Sequence, residues 1–396
     1  MITNRHTQLA LLVPLSLFTL GLGLQSFFGY FPLHSIAYPI NVMAIVLILS
    51  ASVSCCALLP KHPLVVFLAS GKAAISALIF IGILCFILGF THQNNHSHDI
   101  AFQLGWRNLT HYYPFVLAYL FLIITLCFAT IRRFKWEFSV HKLAFFLNHA
   151  GLLLVLMSIG FGASDRLDLR VSLLENSSCS DALSLDGENH QLPFELELLD
   201  FQMENYSPKL GIIEMSSQNF LPIDVPEFYD IDSASSSFSL LDEQFEILQY
   251  LEHSERSDST NYTSSTNQHS PPAIKLRTGK HESWVSYGSS PADSRIMPIS
   301  NHRAIVMLKP EARSYCSLVK ISKEFATFEQ TIKVNHPIHI GAWSVYQSSF
   351  KKSDDERFHS IFQLVYNPWK ILTQIGFFML IGGAIGLFWG TKKTHS

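Results

Sequence analysis

The sequence has few charged residues. Asp, Glu, Lys and Arg make up 15% of its 396 residues, against roughly 25% in an average soluble domain. Residues 1–163 carry only ten charges, eight of them basic, whereas residues 164–366 carry seventeen basic and twenty-nine acidic side chains. This partition excludes a simple cytosolic enzyme and a coiled coil. A nucleic-acid binder is excluded as well, because the acidic block would repel phosphates and no basic stripe with interleaved aromatic residues is present.

Several chemical motifs are also missing. The six cysteines form no Cys-x-x-Cys or Cys-x-x-Cys-His sequence, so the chain is neither thioredoxin-like nor itself a c-type cytochrome. There is no Ser-His-Asp arrangement and no phosphate-binding glycine loop. Four cysteines fall in apolar runs, where a thiol behaves as a small apolar side chain. Cys179 and Cys316 lie in the acidic block, and both a disulfide between them and two free thiols stay open.

The sequence does contain six long apolar runs. Each has about 18–23 residues, and a helix rising ~1.5 Å per residue needs about 20 residues to cross ~30 Å of hydrocarbon. Because backbone amides in lipid must be satisfied within their own segment, the runs predict transmembrane helices. Five spans form an N-terminal membrane domain, 1–163, and the sixth lies in the C-terminal segment 367–396. The predicted spans are 9–30, 40–59, 73–90, 114–131, 143–163 and 369–390.

The basic residues of the short loops alternate between the two sides of these spans. Arg5, the pair Lys61 and Lys72, the loop 132–142 and the C-terminal tail all fall on one side. Short loops rich in Lys and Arg stay in the cytoplasm, so both termini are predicted there and residues 164–366 outside. The first run is longer than the core of a signal peptide and no small-x-small site clearly follows it, so we expect a retained helix.

Residues 164–366 consist of short segments with strand-like alternation. Leu167, Leu169, Val171 and Leu173 share one strand face, and later β-branched or aromatic segments are separated by turn residues. The pattern predicts a multi-pass α-helical membrane protein with a large extracytoplasmic antiparallel β domain, sandwich-like, inserted between the fifth and sixth spans. The Ser/Thr/Asn-rich stretch 253–272 lacks a packing face, which predicts a mobile loop.

One histidine lies within a predicted span. His149 is about six residues, or ~9 Å, into the fifth span from its cytoplasmic end. An ionisable side chain in hydrocarbon is costly and by default functional, and neutral imidazole can ligate haem iron. Asn148 can hydrogen-bond near the ring, and Gly151 can admit a flat ligand. The alternative is a His149 that bonds a carbonyl or Asn148 and only joins helices.

A second group of histidines lies between the third and fourth spans. It comprises His92, His96, His98 and His111, with Asp99 beside them. His92 and His96 are four residues apart, which would suit a metal pair if the helix continues. The alternative is a solvated polar loop.

Three segments carry motifs of a known family. They are Phe146–Asp165 (FLNHAGLLLVLMSIGFGASD), Leu192–Lys209 (LPFELELLDFQMENYSPK), and Ile332–Phe350 (IKVNHPIHIGAWSVYQSSF) followed by Asn367-Pro368-Trp369. Together their glycines and aromatic residues resemble the ResB (CcsB) family of system II cytochrome c biogenesis, and the first four helices resemble its Bacteroidetes-type form. Phe350-Lys351 and Asn367 differ from the Tyr-Asp and Asp that are usual in that family.

The resemblance implies a subunit of a bacterial inner-membrane complex, with residues 164–366 in the periplasm. In that family haem b moves to the outer face and is joined to the thiols of apocytochrome c. A histidine matching His149 is one axial haem ligand, and a CcsA (ResC)-like partner supplies the second ligand and a Trp-rich outer segment.

The chain has six Trp residues and no Trp-rich motif, so the resemblance implies a cytochrome c haem lyase subunit that is inactive without its partner. No catalytic residue is assigned to it, and a thioredoxin-like thiol reductant is a further expected partner. Two other interpretations stay open: a membrane-anchored scaffold without haem, and a b-type electron-transfer subunit.

Overall fold

The computed structural model describes residues 2–93, 105–134, 139–231, 236–258, 260–267, 270–288, 293–324, 326–352 and 357–390. Helices occupy the two ends of the chain, and strands occupy the block between them. Each predicted span falls on a helix. The α-helices are α1 (Ile2–Phe28), α2 (Ile40–Leu58), α3 (Pro63–Leu68), α4 (Gly71–Phe90), α5 (Tyr113–Arg133), α6 (Val140–Gly162) and α7 (Lys370–Gly390).

Five of the helices in the described ranges are long and apolar enough to cross a membrane. They supply the candidate spans His6–Phe28, Ile40–Leu58, Tyr113–Arg133, Val140–Asp165 and Lys370–Phe388. The apolar segment of α4, Gly71–Ile87, is shorter. Most large side chains of α1, α2 and α7 point outward rather than into the bundle, as expected where lipid or another subunit is the surroundings. The chain is therefore a membrane protein with several apolar helices.

Two of the apolar clusters between the helices join α4 to α5 and α5 to α6. Phe80 and Leu84 of α4 pack with Leu109 and Tyr112, which precede α5, and with Ala118 inside it. A second cluster joins α5 to α6 and to the apolar face of α2. Its buried members are Ile123, Cys127, Met157 and Phe161.

The strands of residues 167–366 form the β block. A polar junction at Asp165 connects this block to the helices. Its carboxylate accepts hydrogen bonds from the backbone N–H of Tyr38 (2.7 Å), from Nδ2 of Asn41 (2.7 Å) and from the indole Nε1 of Trp369 (2.6 Å). Asn41 is completely buried and also donates to the carbonyl of Phe161. The start of α2, the end of α6 and the start of α7 are thus bonded to one carboxylate.

The β block has strands whose neighbours all pair antiparallel in the described residues, as predicted. The strands are β1 (Leu167–Leu174), β2 (Ser177–Ser184), β3 (Asn189–Asn205), β4 (Lys209–Glu214), β5 (Phe228–Asp230), β6 (Ser237–Leu240), β7 (Glu243–Leu251), β8 (Ser254–Arg256), β9 (Tyr262–Ser264), β10 (Ala273–Thr278), β11 (His281–Val285), β12 (Met297–Pro298), β13 (Arg303–Leu308), β14 (Ala312–Lys323), β15 (Ala326–Lys333), β16 (Ile338–Ile340), β17 (Trp343–Lys352) and β18 (Phe358–Tyr366).

An eight-stranded sheet forms the part of the β block next to the helices. Its order is β15-β14-β3-β2-β1-β18-β17-β16. One face carries the apolar core, to which the alternating residues Leu169, Val171 and Leu173 contribute as the sequence predicts. β15 contacts β17 near the opposite edge, so the sheet curls and turns this face inward.

A smaller sandwich is inserted between β3 and β14. Its sheets, β11-β10-β7-β6 and β12-β13-β4-β5, share one buried core. The predicted sandwich is therefore correct for residues 209–308 but not for the rest of the block, which is a curled sheet. Alternation along a strand shows which side chains are buried, but not which strands pair over long distances.

The predicted mobile loop 253–272 contains a hairpin, β8–β9, in its described residues. Its polar side chains bond within the turn, where Asp258 accepts from Thr260 and Asn261. Tyr262 is buried against Trp284, with ring centroids 5.6 Å apart. The described residues of this segment therefore form a hairpin with one packed aromatic residue, which the sequence did not predict, and the mobility of the loop stays a prediction.

Cys179 and Cys316 are both free. Cys179 pairs with Leu196 of β3 on one side, and Cys316 pairs with Gln202 on the other. Six residues along a strand correspond to about 20 Å, well beyond the roughly 7 Å that a disulfide can bridge between Cα atoms. Of the two alternatives open from the sequence, the structure has free thiols.

Candidate functional site

His149 lies in the middle of α6 with its ring in a defined orientation. Its Nδ1 atom is 3.0 Å from the carbonyl oxygen of Phe145, one turn earlier. A carbonyl can only accept, so Nδ1 is the donor in this contact, and in the neutral form of the ring Nε2 carries the lone pair. No described residue hydrogen-bonds Nε2. This is the tautomer that a metal-binding imidazole adopts, since ligand histidines usually donate their other N–H to a carbonyl or carboxylate.

Two further side chains lie in a row beside this ring. The ring of Phe145 stacks on that of His149, with centroids 3.8 Å apart and planes inclined by 28°. The guanidinium of Arg133, at the end of α5, lies 5.5 Å from the centroid of Phe145. Sequence reasoning missed both residues. The spacing of four between Phe145 and His149 was an available signal, whereas Arg133 comes from another helix and had none.

The surroundings of His149 are open on one side. The residue is half-buried, and three residues later Leu152 begins an exposed stripe that continues at Ile159, where the exposed fractions are 38% and 52%. Residues three apart on a helix share a face. His149 therefore borders a surface of α6 that the described part of the chain leaves uncovered, where a second membrane subunit or lipid would make contact.

Asn148 and Gly151 face α7 instead of a ligand cavity. A Cβ atom on Gly151 would lie 2.8 Å from the carbonyl oxygen of Gly376, and one on Gly383 would lie 2.6 Å from Nδ2 of Asn148. Asn148 itself donates to the carbonyl of Ala144. The interpretation that Gly151 leaves room for a flat ligand is wrong, because the backbone of α7 occupies that space. Of the three predicted site residues, Asn148 and Gly151 thus lie against α7, whereas the contacts of His149 are with Phe145 of its own helix.

The histidine group between the third and fourth spans is only partly described. His96, His98 and Asp99 lie outside the described residues. The carbonyl of His92 accepts from Arg107, and Nδ1 of His111 donates to Oδ1 of Asn108 over 2.7 Å. Burial, and then the nearby His34, hold the pKa of His111 below its ordinary value. Within the ranges that the structure describes, no group of three or more His, Cys, Asp or Glu residues is arranged to hold a metal.

The third motif segment has a structural role in the eight-stranded sheet. Gln347, Ser317 and Ser360 form a buried triad that joins β17, β14 and β18. Ser317 Oγ donates to Oε1 of Gln347 over 2.6 Å, and Nε2 of Gln347 donates to Ser360 over 2.7 Å. Buried polar groups need such partners. Gly341 has φ +61°, a left-handed conformation that glycine adopts easily, in the turn between β16 and β17.

Residues 299–364 match the family model of the ResB-like family. Over these residues the chain is similar to the ResB-like family. The match confirms the resemblance to ResB (CcsB) over this segment, and that family is linked to cytochrome c biogenesis. It spans about a sixth of the chain and runs from the last part of the sandwich through β14 to β18, including the segment Ile332–Phe350. The ResB-like match does not extend to α6 or His149. No curated protein matches the chain.

Proposed function

We propose that this ResB-like protein is a subunit of the system II cytochrome c biogenesis complex, in which it carries haem across the membrane and supports its attachment to apocytochrome c. One observation carries the proposal: His149, inside a membrane helix, has its Nδ1–H bonded to Phe145 and its Nε2 free. A neutral imidazole presented in this way is a ligand for haem iron.

The side chains around His149 suit a haem molecule as substrate. Phe145 offers an aromatic surface beside the imidazole, and Arg133 supplies a cation near the end of α5. Haem has a flat apolar ring and anionic propionates, so a row of imidazole, phenyl and guanidinium groups matches both parts. Asn148 and Gly151 contribute indirectly, by fixing α6 against α7.

The open stripe of α6 explains why this chain would need a partner. A porphyrin bound at His149 would be covered by this chain on one face only, because Leu152 and Ile159 are exposed beside it. We assign the other face, with the second axial ligand, to a CcsA (ResC)-like membrane protein. In this arrangement six helices, α1, α2 and α4 to α7, cross the bacterial inner membrane, with both termini cytoplasmic and residues 164–366 in the periplasm.

Attachment of haem to the apocytochrome adds each thiol across a vinyl group and forms a thioether. The chemical groups all belong to haem and to the apocytochrome, with a thioredoxin-like reductant keeping the thiols reduced. The contribution of this chain is therefore to hold the reactants in register, and such positioning lowers the entropic part of a barrier.

An absorption spectrum tests the proposal. The chain is purified alone and after co-expression with a Trp-rich CcsA (ResC)-like protein. A Soret band that requires the partner is the expected result. A band from this chain alone would favour a b-type electron-transfer subunit, and no band in either preparation would favour a scaffold without haem.

A further inference from the structure

A cleft of about 1920 Å³ lies between the eight-stranded sheet and the inserted sandwich. One wall comes from the ends of β3 and β14, and the other comes from the end of β7 and the residues that lead into the β8–β9 hairpin. The volume exceeds the roughly 300–1,000 Å³ of typical small-molecule sites. The cleft therefore has room for a segment of a macromolecule.

The lining of this cleft is acidic. Five carboxylates line it, from Glu175, Asp200, Glu204, Asp230 and Glu252, against two lysines, Lys309 and Lys333. Among the described residues, only Asp230 of these five forms a salt bridge, with Lys209 at 3.4 Å. Four carboxylates therefore remain without a cation from the described part of the chain. A cleft lined by one sign of charge concentrates ligands of the opposite sign.

The same cleft also offers aromatic surface and an unpaired polar atom. Tyr315 and Phe350 have ring centroids 5.1 Å apart, and Tyr206 is 54% exposed at the rim. Nδ1 of His253 is buried without a hydrogen-bond partner, the one such side-chain atom in the described residues. Aromatic faces attract lysine and arginine head groups.

We infer that the cleft binds a basic, extended segment of a polypeptide on the side of the membrane that holds the β block. The carboxylates would pair with its lysine or arginine residues, and the aromatic rings would contact their aliphatic stems. The inference does not depend on haem at His149, so either can fail without the other.

Fluorescence anisotropy with the full-length protein in zwitterionic nanodiscs tests the inference. The probe is a fluorescein-labelled peptide in which lysine alternates with tyrosine, and its counterpart has glutamate in place of lysine. The lysine peptide should bind, and its affinity should fall as salt is raised. Glu204→Gln combined with Glu252→Gln should weaken binding about fivefold.

The matched control is Asp186→Asn combined with Glu188→Gln, which removes the same charge from an exposed turn outside the cleft. The affinity of this control variant for the lysine peptide should stay within about twofold of the affinity of the unmodified protein. A photo-reactive version of the lysine peptide should label residues near Glu204 and Glu252. The inference is overturned if both double variants lose the same affinity, or if the glutamate peptide binds as well as the lysine peptide. It is also overturned if the lysine peptide does not bind, or if it labels residues elsewhere.

Discussion

Oδ2 of Asp165 accepts a hydrogen bond of 2.6 Å from the indole Nε1 of Trp369, which lies 204 residues later in the chain. Asp165 ends the helical part before the β block, and Trp369 begins the return to the last helix. Asn41 donates to the same oxygen. Both ends of the β block are thus bonded at Asp165, directly after the helix that contains His149. This junction fixes the β block against the helices.

Removing the indole donor should destabilise the junction. Trp369→Phe leaves a charged acceptor with one partner fewer, and hydrogen bonds to charged groups contribute about 1.5–3 kcal/mol. We expect a lower thermal unfolding temperature in detergent. Trp284→Phe is the control, because its indole has no hydrogen-bond partner among the described residues. Equal unfolding temperatures for the two variants would contradict a role for the Asp165–Trp369 bond.

A side chain at Gly151 should separate α6 from α7. A Cβ atom there would lie 2.8 Å from the carbonyl oxygen of Gly376, and overpacking of this kind costs about 1–3 kcal/mol. Gly151→Ala should therefore lower the thermal unfolding temperature. Gly82→Ala, in α4 with no atom within 4 Å of the added carbon, should be neutral or slightly stabilising, since alanine favours helix over glycine. Equal unfolding temperatures for the two variants would contradict close packing of α6 on α7 at Gly151.

The hairpin β8–β9 should depend on the charge of Asp258. The backbone N–H of Thr260, then its hydroxyl and the donors of Asn261, hold the pKa of Asp258 below its ordinary value of 3.8. The Asp258 carboxylate therefore stabilises the hairpin fully at pH values above 3.8. This stabilisation is lost as the pH falls through the lower pKa of Asp258 in the folded state. Asp258→Asn should therefore speed amide hydrogen exchange in residues 254–264 at neutral pH.

The effect of Asp258→Asn on amide exchange should depend on pH. The difference between the unmodified protein and Asp258→Asn should shrink below about pH 3.8, because the opened hairpin then takes up a proton that the closed one does not. Asp242→Asn, in the exposed turn between β6 and β7, should leave exchange in residues 254–264 unchanged. A difference independent of pH would show that the carboxylate charge is irrelevant.

The sequence and the structure agree where the signal is local. Apolar runs predict the helices, because length and composition suffice for that, and alternation predicts the inward face of β1. The division of the β block was not foreseeable, because β3 pairs with β14 across an inserted sandwich. The same limit applies at His149. Its position in an apolar run was evident, whereas the contact of Gly151 with Gly376 depends on a helix more than 200 residues away.

The haem content of His149→Gly, purified after co-expression with the proposed partner, a CcsA (ResC)-like protein, tests the central claim most directly. Removing the imidazole should reduce the Soret band, and imidazole added during growth should restore it by occupying the vacated position. His141→Gly makes the same change at an exposed position of α6 and should keep its haem. Unchanged haem content in His149→Gly, or an equal loss in His141→Gly, would contradict a role for His149 as ligand.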